Sequence, residues 1–450
     1  MFRNSLALIA VFRRAACPQP SLPMLFTPRL IVVLPLVVIL MLALPFSAGA
    51  QERFVPGDQE IVLVSPQKGG GTGSDLREAV ARWREQPKDL TRALLYARVA
   101  FMAGMNEGDL RWFGAAKTAL NPWWTEPTLP AEGFFMRALI KQGFHDFDGA
   151  LLDLQRAVDR DQTRVEFLGW QMAIYLVKAE MGKAKQSCDL IRQRFGLTEG
   201  DACGAQLRYR TGDAANAIRM LDQLAAHRDF QGPNAQDWLA FHRGEARRVN
   251  GDAAGAIRVW QAHLKSFPER HVVRLALIEL LNHEQRYQEA WQLNARVPRS
   301  DALLVQAIIS SRALGDASAQ TLAMEFRQRL AYQRQRGDAL IERPHLVYLL
   351  QVDQQPEQAL ALALKNWETQ REPADAILLL QAALGAAKPA AANTVLEWQK
   401  ASGYQEPALK KLLMQHAAKT AASSTTTTQT ITTQTATTQT TASSTRSGRP

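Results

Sequence analysis

Gly251-Asp252-Ala253-Ala254-Gly255-Ala256 decides the fold of this chain, because variants of the same stretch recur at a near-constant interval. The counterparts are Asp148-Gly149-Ala150, Gly182-Lys183-Ala184, Gly212-Asp213-Ala214-Ala215-Asn216-Ala217, Tyr287-Gln288-Glu289-Ala290, Gly315-Asp316-Ala317, Pro356-Glu357-Gln358-Ala359 and Lys388-Pro389-Ala390. Each reads as a turn followed by a small residue that opens a helix. Aligned, they set anchors at Ala150, Ser187, Ala217, Ala256, Ala290, Gln320, Ala359 and Ala390. Seven intervals span 240 residues, a mean period of about 34, the length of one helix-turn-helix unit. A single helix pair cannot bury its own apolar stripe, so such units stack and bury it against their neighbours.

The rest of the chain is consistent with an all-α array. Of 450 residues, 46% are hydrophobic, with Ala and Leu prominent and β-branched runs scarce outside the N-terminus. The formal net charge is +10, and basic and acidic residues are interspersed. That pattern describes a solvated surface and argues against nucleic acid as a partner.

Residues 1–50 read as a secretory signal peptide. An apolar run over 30–44 follows Arg29, and Ala48-Gly49-Ala50 satisfies the small-residue cleavage rule, so the mature chain is expected to start near Gln51 with a net charge of +6. Met24 competes with Met1 as the start. The alternative is an uncleaved inner-membrane anchor over 30–46, the one route to membrane contact. The expected location is the periplasm. There the two remaining cysteines, Cys188 and Cys203, flank a turn near Phe195-Gly196, so a disulfide across that hairpin competes with two separate buried thiols.

Residues 51–73 read as an extended lead-in with a strand candidate, Glu60-Ile61-Val62-Leu63-Val64, and a Gly-rich linker. Divergent helices are expected over 74–130, ending at Asn121-Pro122-Trp123-Trp124. The two tryptophans read as a plug between layers or as a platform for carbohydrate or peptide. The repeat array covers 131–405, a solvated cap helix 406–419, and a disordered Thr/Ser/Gln-rich tail 420–450.

Residues 237–270 resemble a tetratricopeptide repeat (TPR). Gly244 stands at the close crossing, Gly251 in the turn, Ala256 opposite Gly244, Trp260 in the bulky slot and Pro268 at the end of the unit. Residues 131–164 match next best, through Ala138, Phe147, Ala150, Leu154 and Ala157. The unit at Ala217 keeps Ala205 and Gly212. Elsewhere Ser187 and Gln320 replace the anchor alanine, and Ile278 and Ile308 hold the crossing site. The resemblance covers about 270 residues. The whole chain also resembles exported bacterial repeat proteins. What this implies is a right-handed α-solenoid, or superhelix, whose first helices line a concave groove. In that groove it places Trp238, Phe241, Glu245 and Arg248, with Tyr209 and Arg210 from the preceding unit and Glu279 from the following one. Aromatics flanked by charges suit a peptide or a partner helix; ordinary packing between units is the other reading of Trp238 and Phe241.

Catalytic chemistry finds no support. His145-Asp146-Phe147-Asp148 is the one compact His/Asp cluster, and it reads as a helix N-cap beside a solvated histidine. His283-Glu284 lacks the second histidine of a zinc-protease helix, and no Gly-x-Ser-x-Gly elbow or Gly-x-Gly-x-x-Gly loop occurs. No catalytic residue, metal site or cofactor is expected. The expected function is a non-catalytic periplasmic scaffold that binds protein partners in envelope or secretion assembly. The alternative is a helical accessory subunit of surface-polysaccharide assembly or export that contacts glycan.

Overall fold

The computed structural model describes residues 72–295, 299–336 and 342–421. The leader, the strand candidate at 60–64, the start of the Gly-rich linker and the tail from 422 lie outside the described residues. The helices are α1 (Thr72–Glu85), α2 (Leu90–Glu107), α3 (Arg111–Leu120), α4 (Ala131–Gly143), α5 (Phe147–Arg160), α6 (Val165–Val177) and α7 (Met181–Phe195). They continue with α8 (Leu197–Arg210), α9 (Ala214–Ala225), α10 (Pro233–Val249), α11 (Ala253–Ser266), α12 (His271–His283) and α13 (Tyr287–Asn294). The last are α14 (Asp301–Ala313), α15 (Ser318–Arg336), α16 (Glu342–Gln351), α17 (Pro356–Thr369), α18 (Pro373–Gly385), α19 (Asn393–Ser402) and α20 (407–421). No strand occurs among the described residues.

One local device generates the repeat. A left-handed residue ends the first helix of each pair: Gly108, His145, Ala179, Gly212, Gly251, Gln285, Gly315, Gln354 and Ala387. From 108 to 387 the mean spacing is about 35 residues. The next amide then reaches back five residues to a carbonyl in the last helical turn, as from Asp252 to Arg247 (2.8 Å), Asp213 to Arg208 (2.8 Å), Glu180 to Tyr175 (2.8 Å) and Asp146 to Lys141 (3.0 Å). This is the Schellman closure, which satisfies an otherwise unpaired carbonyl. Asp146 and Asp252 then cap the second helix, accepting from the Gly149 and Gly255 amides at 3.0 and 2.8 Å. The same closure joins α2 to α3, so repeat geometry begins one unit before Ala131.

This turn also corrects the register. Five residues after the left-handed position lie Ala150, Ala184, Ala217, Ala256, Ala290, Ala359 and Ala392, all fully buried. Ala184 and Ala392, rather than Ser187 and Ala390, are therefore the anchors of their units. Gln320 holds the right register but is exposed. A glutamine at a close helix crossing would bury an amide, so α15 instead turns Leu322, Ala323 and Phe326 inward. In α3 the register position is Phe113, and both flanking first helices make room for it. A Cβ on Gly104 or Gly143 would come within 2.7 or 2.9 Å of its ring. Gly244 does the same for Trp260: its bare Cα faces the Trp260 indole.

The core is not ordered as the chain is. Most buried residues of α16–α20, from Leu346 to Leu409, form one cluster with most of those of α1–α10. The units between them, α11–α15, bury separate clusters around Trp260 and Ile278, joined by Phe241 of α10, and around Phe326, joined by Tyr348 of α16. The C-terminal helices thus pack against units 150 or more residues away. α20 is part of this packing: Leu409 and His416 are buried, while Lys410 and Lys411 remain exposed. No described helix is long and apolar enough to cross a membrane.

Candidate interaction site

The last two turns of each first helix set the inner wall. Three and six residues before the left-handed position stand Tyr209 and Gln206 in α8, Arg248 and Glu245 in α10, and Asn282 and Glu279 in α12. Polar side chains here bond to the first helix of the following unit, as Tyr209 to His242 and Asn282 to Gln306. Tyr209, Arg210, Glu245 and Arg248 lie close together. Arg248 grips Glu245 in a fork, Nε to Oε1 at 3.0 Å and Nη2 to Oε2 at 3.1 Å. Glu279, one unit on, is half-buried, and Asn282 beside it is bonded to Gln306 and Ser310.

Trp238 and Phe241 do not line an open surface. Both are fully buried, and Tyr209 is 1% exposed. They stand thirteen and ten residues before the turn, Trp238 in the core shared with the preceding units and Phe241 in the core of the units that follow. Trp238 packs on His242 and Phe230, with ring centroids 4.3 and 5.9 Å apart. The carbonyl of Phe241 accepts from the Trp260 indole at 3.4 Å. Packing between units is the reading that holds for both.

The wall is occupied by the chain itself. Between α17 and α18 the backbone is extended at Gln370 and Glu372. The Arg371 amide donates to the Val177 carbonyl at 2.8 Å, and the Gln370 amide group meets His145 Nδ1 at 3.0 Å. His145 is accordingly half-buried and bonded rather than solvated, while Asp146 is the expected N-cap. Glu372 sits 3.7 Å from Arg210 and takes a hydrogen bond from Arg343 at 2.9 Å; Arg343 also reaches Asp375 at 2.8 Å. Next to them, Arg248 pairs with Glu406, which also accepts from the Tyr404 hydroxyl. Gly212 packs under the Gly403 carbonyl, and Gly251 faces Pro407.

Burial governs the electrostatics here. It pushes the Tyr209 and Tyr404 hydroxyls up, so both stay protonated. It pushes His242 down to about 3, leaving a neutral ring whose Nδ1 meets the Tyr209 hydroxyl at 2.8 Å. Burial alone would raise Glu372, but Arg343 and Arg210 outweigh it and hold the carboxyl below its ordinary range. Two Arg210 nitrogens, Nε and Nη2, and Gln206 Nε2 are buried without a hydrogen bond among the described residues.

Sequence reasoning missed Gln206, His242, Arg343, Glu372, Tyr404 and Glu406. The local signal at Glu372-Pro373 was a capping box, which the structure contains through Asp375. Nothing local announced that the same carboxylate meets an arginine of α8. Elsewhere, Cys188 and Cys203 form a disulfide between α7 and α8, with Cα atoms 5.6 Å apart. Trp123 and Trp124 are half-buried. Their carbonyls accept from Arg137 Nη1 at 3.0 and 2.9 Å, while Arg137 is itself paired with buried Asp153. Among the described residues no group of three or more His, Cys, Asp and Glu gathers as a metal site.

No family model and no curated protein matches this chain. Among solved structures, yeast Tom70 is similar over 78% of this chain and 86% of its own, at 11% identity and TM-score 0.34. A tetratricopeptide repeat protein from Parabacteroides merdae covers 72% of this chain and 99% of its own, at 12% identity and TM-score 0.27. The Cut9-Hcn1 hetero-tetramer of APC/C covers 78% and 90%, at 12% and 0.27. Likeness this faint leaves the fold resting on the chain's own turns, register and core, and by those the described chain is an all-α solenoid of tetratricopeptide-like helix pairs.

Proposed function

We propose that this protein is a non-catalytic scaffold of the periplasm whose first-helix wall binds protein partners in envelope or secretion assembly. One observation carries the reading. The wall already holds an extended segment of polypeptide at 370–372, through a backbone hydrogen bond and buried charge pairs. A surface built of repeated polar side chains that engages a chain in this way has the chemistry of peptide recognition. Residues 1–50 supply the export signal, and the Cys188–Cys203 disulfide suits an oxidising compartment. Amino-terminal sequencing of the protein from its native envelope is expected to begin near Gln51. A photo-reactive residue at Glu279, on the wall, is expected to trap a discrete partner that the same residue at Arg219, on an outer helix, does not. Equal capture from both positions, or an intact Met1 in the cytosol, would remove the reading.

A second reading, an accessory role in surface-polysaccharide assembly or export, is favoured by a cleft at the N-terminal end of the described chain. Trp123 and Trp124 follow that cleft in the chain, with their backbone carbonyls held by Arg137.

A further inference from the structure

The ends of α1 and α3 bound a cleft of about 380 Å³, lined by Trp83, Pro87, Lys117, Thr118, Asn121 and Pro122. The volume lies at the low end of small-ligand sites and suits one or two sugar rings. Its floor is apolar and stiff. Trp83 is held by stacking on Tyr96, with ring centroids 5.1 Å apart and planes 30° apart. Pro87 and Pro122 add two rings with little rotamer freedom to lose on binding.

Its rim is polar, and of its side chains Thr118 is already bonded to the Gly114 carbonyl at 3.0 Å. The Lys117 ammonium lies over the rings of Trp124 and Phe144, at 5.2 and 5.6 Å, and makes no ion pair among the described residues. The two rings fix where the cation sits without neutralising it. The Asn121 side chain is exposed and makes no hydrogen bond among the described residues. The lining holds one cation and no acid.

From this we infer that the cleft is a binding site for an acidic sugar: a pyranose whose carbon face lies on Trp83 and the proline rings, and whose carboxylate meets Lys117 while a ring hydroxyl meets Asn121. An apolar face with a hydroxyl edge fits a flat floor with a polar rim. The lone cation selects a uronic acid over a neutral hexose. The site lies apart from the wall on which the scaffold reading depends, and it deepens the polysaccharide reading.

The test uses the full chain, titrated with a galacturonic acid trimer and, in parallel, with cellotriose. Tryptophan fluorescence and calorimetry report binding. The acidic trimer is expected to saturate, and the neutral trimer to bind about tenfold more weakly or not at all. Lys117→Gln and Asn121→Ala change exposed side chains, so both variants are expected to fold, and Lys117→Gln to lose about tenfold in affinity for the acidic trimer. No saturation by either trimer up to about 10 mM would overturn the site. So would equal affinity for the two sugars, unchanged affinity in Lys117→Gln, or saturation by a proline-rich peptide instead. The polysaccharide reading is separable: deleting the gene and finding surface polysaccharide unchanged would remove that reading while leaving a measured affinity for uronate in place.

Discussion

At the scale of single residues, space decides which glycines matter. Gly244 lies bare against the Trp260 indole, whereas nothing approaches the position a Cβ would take on Gly182. Gly244→Ala is expected to destabilise the protein by about 2–3 kcal/mol through overpacking. Gly182→Ala, inside α7, is expected to be neutral or stabilising by up to about 1 kcal/mol. Urea denaturation of both variants checks the contrast. Buried histidines make a second residue-scale statement. His242 and His271 titrate near 3 and 4 in the folded chain, against 6.5 when free, because burial disfavours the charged ring. The unfolded chain therefore takes up protons first. The contribution of these rings is intact above about pH 6.5 and is lost as pH falls toward 4. Unfolding free energy measured across that window should fall with acid, and His242→Gln should flatten the slope without abolishing it, since His271 remains.

At the scale of elements, the helix pair was legible because its signals are local. The turn stretches, the N-cap aspartates and the apolar stripe all lie within one period, and the helices fall within a few residues of where they predict. The exact anchor was less legible. Alanine is abundant on both sides of every turn, so Ser187 and Ala390 competed with Ala184 and Ala392. Only the left-handed residue fixes the count, and five such positions are not glycine: His145, Ala179, Gln285, Gln354 and Ala387. Each costs about 1–2 kcal/mol in backbone strain, which the closure bonds and packing offset. The α7–α8 junction carries the Cys188–Cys203 bridge across a unit boundary, with a separation of 15 residues. Reduction, or a Cys188→Ser/Cys203→Ser pair, is expected to cost about 3 kcal/mol. Denaturation with and without reductant measures it, and the double variant should no longer respond to reductant.

At the scale of the whole molecule, the decisive feature is that α16–α20 rest on α4–α10. Arg248, Glu245, Glu406 and Tyr404 form one buried knot across 158 residues of sequence. Glu406→Gln removes one of the two carboxylates that hold part-exposed Arg248 and leaves the Glu245 fork in place, so the loss of this one charged hydrogen bond is expected to cost about 1.5–3 kcal/mol. Hydrogen exchange should then accelerate over 403–421 and at the Arg371 amide, while α12–α14 keep their protection. Uniform acceleration across the chain would mean that the knot supports the whole array rather than this one contact.

The sequence alone determined that the chain is helical and that its units recur about every 34 residues. These follow from short-range physics: turn conformation, capping and a stripe repeating with the helix. Only the tertiary structure decided what covers the first-helix wall. Glu372 and Glu406 meet Arg210 and Arg248 because packing brings distant units together, and desolvated charges must find partners wherever the fold places them. No periodicity records such a pairing, so Trp238 and Phe241 read equally well as groove or core until the neighbours that bury them were in place.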